Sequence, residues 1–180
     1  MSVSQLRGHL LTKADLGDGY DHAPHRAAHH DDVTVQGCPA LDQLGVDPSG
    51  SSLDFHRKVT ASFTYGSAPS STISEELYSD RPAKLATGTK KVFDAFVSCP
   101  QFTLIAGTRS IPVMTDKTTA PRLGDEGWAQ FVVYNADSGT SITQKQVAVR
   151  SGSVVIMLSG APGLVDSHIE AAVERARHPG

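Results

Sequence analysis

Apolar residues alternate with polar ones over Leu53, Phe55, Val59, Ala61, Phe63 and Tyr65, which predicts a long strand with one apolar face. Gly66, Pro69 and the serines around them supply a turn, and Thr72 to Tyr78 returns as a second strand whose Glu75 and Glu76 are unusual members. The period then changes. Over Arg81 to Val97, Leu85, Val92, Phe93 and Phe96 fall on one helical stripe, with Cys99 just past the end. Short strands are expected at Phe102 to Ile105 and Ile111 to Met114, around a turn at Gly107 to Ser110. WAQFVVYN, SITQKQVAVR and SVVIML read as three antiparallel strands, turned at Asp137-Ser138-Gly139 and Ser151-Gly152. Leu164, Val165, His168, Ile169, Ala172, Val173 and Ala176 describe a C-terminal amphipathic helix, and Arg175, Arg177 and His178 suit its negative end.

The N-terminal part is less regular. Ser4 to Leu11 predicts a short helix carrying Leu6 and Leu10, with Ser4 as its cap, and Pro39 starts another through Leu44 that Gly45 ends. Between them DLGDGYDHAPHRAAHHDD has no period and reads as a polar loop. Strands outnumber helices and follow one another in antiparallel sets, so the fold class is α+β, an antiparallel or mixed sheet flanked by helices. No repeat at a solenoid period interrupts it.

At 180 residues and 39% hydrophobic content the chain builds one substantial core, so a single domain over 1–180 is expected, with 1–10 and 179–180 peripheral. Sixteen Lys and Arg against nineteen Asp and Glu give a net charge of -3 without a basic run, which argues against nucleic acid as a partner. The longest apolar run, Val154 to Leu158, is far below the roughly 18 residues of a membrane span.

Two cysteines are present, each followed by proline: Cys38-Pro39 and Cys99-Pro100. Their spacing excludes a CxxC redox pair and half of a four-cysteine zinc site, and it suggests one structural disulfide, which belongs outside a reducing cytosol. The N-terminus MSVSQLRGHLLTKADL has no signal-peptide pattern. Two readings therefore stand side by side: an exported chain whose leader has been trimmed, or a cytoplasmic chain with two reduced thiols.

His22, His25, His29, His30, Asp31 and Asp32 form the densest polar cluster. In a helix His25 and His29 would share a face at metal-ligand spacing, but Pro24 and the absence of an apolar stripe favour a solvated loop, with a weak zinc or nickel site as the alternative. PRLGDEGWAQF sets Arg122, Asp125 and Glu126 beside the single Trp128, a combination that orients a polar ligand against an aromatic wall or else makes a structural turn with the tryptophan entering the core. Adjacent acids on a strand, as at Glu75-Glu76, point to opposite faces and cannot share a substrate bond. His56 sits on the polar face of its strand, and His168 on the last helix reads as a core histidine with a hydrogen-bond partner. GxSxG, HExxH, P-loop, GxGxxG and EF-hand patterns are all missing, and neither cofactor nor metal is expected.

LLTKADLGDGY, the first CysPro with CPAL, the strand ending SEELYS, a helix closing in SCPQFT, and PRLGDEGWA occur in an order and spacing that resemble the PknH-like extracellular domain family, the sensor domains of certain actinobacterial receptor kinases and their secreted or lipid-anchored relatives. The resemblance runs from about Leu10 to the last helix. It implies a Mog1/PsbP-like layered sandwich with a cleft, an extracytoplasmic sensing or ligand-binding role without a reaction of its own, a disulfide between Cys38 and Cys99, and a loop beside the sheet at Leu123, Gly124, Asp125 and Glu126. The family's usual proline after the first DL is Gly17 here, a second disulfide of some members has no cysteines, and kinase and transmembrane portions do not occur in this chain, so only a domain type carries over.

The resulting expectation is a lipoprotein-like or secreted binding module for a small molecule or peptide, with Tyr78, Arg122, Asp125, Glu126, Trp128 and Tyr134 as cleft candidates. The competing expectations are an enzyme of a biosynthetic pathway using Asp125, Glu126, Tyr134 or a loop histidine as acid or base, and a purely structural partner-binding protein.

Overall fold

The fold was obtained as a computed structural model that describes residues 1–23, 33–44, 53, 55–66, 71–135 and 139–178. Nine strands form one antiparallel sheet among these residues: β1 (Tyr20–His22), β2 (Val33–Gln36), β3 (Lys58–Tyr65), β4 (Thr72–Ser79), β5 (Gln101–Ala106), β6 (Arg109–Lys117), β7 (Glu126–Asn135), β8 (Ser141–Ser151) and β9 (Val154–Gly160), in the spatial order β1-β3-β4-β9-β8-β7-β6-β5-β2. Five helices cover it: α1 (Val3–Arg7), α2 (Lys13–Leu16), α3 (Pro39–Asp42), α4 (Pro82–Ser98) and α5 (Pro162–Arg177). The architecture is the expected single-domain α+β sandwich.

Alternation divides the sheet into two faces. Ile73 and Leu77 of β4, Val147 and Val149 of β8 and Ile156 and Leu158 of β9 share one core with α1, α2 and α5, whose buried stripe is Val165, Ile169, Ala172, Val173 and Ala176. Tyr78, Val132, Ala148, Val155 and Met157 line the other face, where Leu85, Val92, Phe93 and Phe96 of α4 and Leu41 of α3 pack. Proline opens α3, α4 and α5 in the first turn, where no backbone donor is needed. Gly160 ends β9 at φ 148°, and a Cβ there would sit 2.1 Å from the Thr72 carbonyl oxygen, so only glycine lets β9 close onto β4 before α5 departs.

The disulfide is present between Cys38 and Cys99, 61 residues apart, and ties the start of α3 to the end of α4. No described helix is long and apolar enough to cross a membrane.

Several expectations need correction. The strand predicted from Leu53 begins at Lys58; Leu53 and Phe55 are buried, but in the α4-side core, whereas Val59 and Phe63 lie in the α5-side core, so the shared odd parity was coincidental. His56 precedes that strand and is exposed. The polar loop contains α2 and β1, and Val33–Gln36 follows it as an edge strand on β5. The first helix is capped by Ser2, not Ser4, and ends at Arg7. Residues 1–10 are not peripheral: Leu6 is fully buried and Leu10 nearly so, and His9 Nδ1 lies 2.8 Å from the Ala176 carbonyl. The predicted terminal Gly45, the Pro69 turn, Asp137-Ser138 and 179–180 lie outside the described residues.

Candidate ligand-binding groove

The WAQFVVYN alternation puts Trp128, Gln130, Val132 and Tyr134 on the α4 side of β7. β6 stops pairing with β7 at Lys117↔Gln130, and the chain from Thr118 onward diverges, held by a single 3.0 Å bond from the Thr118 N–H to the Ala129 carbonyl. This divergence opens a groove of about 680 Å³ between α4 and the start of β7, lined on the helix by Lys90, Phe93, Asp94 and Val97 and on the sheet by Lys117, Gly127 and Trp128. Trp128 is half-buried and stacks on Phe93, with centroids 6.3 Å apart and planes at 29°. A smaller hollow of about 420 Å³ adjoins it, sharing Lys90, Asp94 and Trp128 and adding Glu126. The tryptophan thus stands between two recesses.

Charge in the groove is uneven. Lys90 and Asp94, one helical turn apart, pair with each other. Lys117 at the opposite wall is exposed and makes no ion pair among the described residues. Next to it in register lies Gln130, 1% exposed, whose Nε2 donates to Gln146 Oε1 at 2.7 Å while its own Oε1 has no hydrogen-bond partner. Continuing across the sheet, the register reads Gln146, Ser159, Ser74 and Ser62, a polar row across the face, with Ser62 and Ser74 hydroxyls 2.8 Å apart.

No protein-family model matches the sequence, and a search of curated proteins finds no match. Among solved structures, the extracellular domain of PknH from Mycobacterium tuberculosis superposes with a TM-score of 0.69 over 98% of this chain and 97% of that one, at 10% identity. The chain has the fold of the PknH extracellular domain. An uncharacterised Mycobacterium smegmatis protein, the Rv0999 ortholog, aligns over 98% of this chain and 95% of its own at 11% identity, with a TM-score of 0.49.

Within this PknH-type fold the candidates separate. Trp128 and Glu126 meet at the groove, whereas Asp125 and Glu126 both engage Arg150, at 2.9 Å and 3.0 Å, and Asp125 also accepts the Gly152 N–H at 2.8 Å. That network pins the LGDEG loop onto the β8–β9 hairpin. Gly124 completes the contact: a Cβ there would lie 2.4 Å from the Arg150 carbonyl oxygen. Arg122 is exposed. Tyr78 is fully buried away from the groove, donating to Glu76 and accepting the Leu53 N–H at 2.8 Å, with Glu76 also paired to Lys58 at 2.7 Å. Tyr134 lies further along β7, half-buried, opposite Val113 and Ile142.

Of the histidine cluster, His22 is on β1 against Phe63, while His25, His29, His30, Asp31 and Asp32 lie outside the described residues; among the described residues no three His, Cys, Asp or Glu converge as a metal site. His168 is half-buried with Nε2 2.6 Å from Tyr20 Oη, and burial lowers its pKa below the usual histidine value.

The sequence reading overlooked Lys90, Phe93, Asp94 and Lys117 as groove residues, and also Gln130. A glutamine alternating with tryptophan, valine and tyrosine on one strand face was the visible sign of Gln130. It set Glu75 aside with Glu76 as adjacent acids on opposite faces and did not foresee its burial. This side chain is 1% exposed on the face opposite the groove, between Ala61 and Leu158, and accepts the Leu11 N–H at 2.6 Å. Desolvation pushes its pKa up to about 8, the Leu11 hydrogen bond and Arg175 oppose that, and Asp15 adds to it.

Proposed function

We propose that this chain is an extracytoplasmic, sensor-type binding domain, secreted or lipid-anchored, that holds a small molecule or peptide in the groove beside Trp128 and carries out no reaction. The observation that carries this reading is a half-exposed tryptophan placed between two adjoining recesses, 680 and 420 Å³, in the size range of small-molecule sites. The disulfide supports export, because such a bridge persists in oxidising compartments. The fold, shared with a domain that is extracellular in PknH, agrees with it. The acids at the groove also favour binding over catalysis: Asp94 is paired with Lys90, Asp125 and Glu126 are committed to Arg150, and Glu75, an acid with a raised pKa, is on the far side of the sheet.

Native mass spectrometry of protein purified without denaturation tests the reading. A bound small molecule should be retained by wild type and by Arg122→Ala, and lost from Trp128→Ala. Equal retention by both variants would move the site elsewhere.

A further inference from the structure

We propose that the groove selects an aromatic carboxylate, the chemistry of an N-acylated aromatic amino acid or a peptide ending in one. This rests on the groove being the binding site and adds the class of ligand. Two features of the lining carry it. Trp128, backed by Phe93, offers a planar apolar surface. Two lysines set the sign of the charge: Lys90 and Asp94 cancel each other, Glu126 in the adjoining hollow is paired with Arg150, and Lys117 in the groove and Lys91 in the hollow are left as cations without an acidic partner among the described residues. A ring and an anion within one residue-sized molecule match the ring surface and the cations of the lining.

Trp128 is the single tryptophan, so its fluorescence reports on the site directly. Titration with N-acetyl-L-phenylalanine and with its neutral carboxamide separates the contributions. Wild type should bind the carboxylate about fivefold more tightly than the amide, a preference that shrinks at high salt. Lys117→Gln should shrink the preference, and Lys117→Gln with Lys91→Gln, both exposed substitutions that leave the core intact, should abolish it without changing the affinity for the amide. Equal affinities in wild type would overturn the proposed ligand class while leaving the groove reading in place, because the amide would still be binding. A Trp128 signal indifferent to both compounds would also overturn the class, and the retained-ligand measurement on Trp128→Ala then decides the groove on its own.

Discussion

Reduction of the Cys38–Cys99 bridge is expected to lower the stability of the domain by about 4 kcal/mol, the loop-closure entropy that a 61-residue separation removes from the unfolded chain. In a domain of this size that corresponds to a fall in Tm of roughly 8–16 °C. The location makes the effect structural as well as entropic. The bridge fastens α3 and the edge strand β2 to the end of α4, and both sulfurs are buried in the α4-side core. Replacing both residues by alanine and following thermal unfolding measures the loss without leaving an unpaired thiol. A drop of only a degree or two would mean that the bridge is a bystander. Intact mass under non-reducing conditions gives the companion result: two free thiols in protein from an oxidising compartment would remove the argument for export.

Stability should also fall as pH rises from about 4.5 to about 8. Glu75 drives this change, because its folded pKa of about 8 stands well above its unfolded value of 4.5. A raised carboxyl is protonated in the fold, so its contribution is fully present below the unfolded pKa and is lost progressively until the folded pKa is reached. The gap corresponds to roughly 5 kcal/mol across that window. Desolvation dominates. From the surrounding elements, Leu11 donates its N–H, Asp15 of α2 contributes a like charge and Arg175 of α5 an opposing one; Arg175 Nη1 is 3.9 Å from Asp15. Since Leu6, Leu10, Leu11 and Leu16 are buried alongside, ionisation of Glu75 strains the seat of the N-terminal segment first. Glu75→Gln keeps an acceptor for the Leu11 N–H and should flatten the profile between pH 4.5 and 8. Urea titrations at several pH values check this, and an unchanged slope in the variant would assign the pH dependence to other groups.

The parts legible in the sequence were those with long, unbroken periods. β7, β8 and β9 are long runs rich in apolar and β-branched residues separated by turn residues, with β9 opening on an unbroken apolar run, and α4 and α5 carry continuous apolar stripes, so their order and the α+β class could be read directly. Short elements were not readable. Tyr20–His22 has three residues, too few to display alternation, and its identity as a strand comes from pairing with Phe63–Tyr65. Leu53 and Phe55 misled because parity extends through a bend as readily as through a strand, and only packing shows that they enter the opposite core from Val59. Glu75 and Glu76 weakened the expectation for β4, yet both are buried there, one against Leu11 and the other against Lys58 and Tyr78.

At the candidate site, PRLGDEGWAQF pointed to Trp128 and Glu126, but the groove is assembled from three elements distant in sequence. Lys90 and Asp94 looked like ordinary exposed helix residues, and Lys117 like the end of a strand. Their convergence depends on α4 crossing β6 and β7 where those two strands part, which no local pattern encodes.

The most direct measurement is the indole N–H resonance of Trp128, followed by NMR while isotopically labelled protein is titrated with N-acetylglucosamine, a short alanyl peptide and an aryl carboxylate in turn. At least one of these should shift that resonance saturably and be recovered chemically unchanged. Saturable binding that leaves the Trp128 indole unmoved, or recovery of an altered compound, would contradict the groove as the site of a binding domain without turnover.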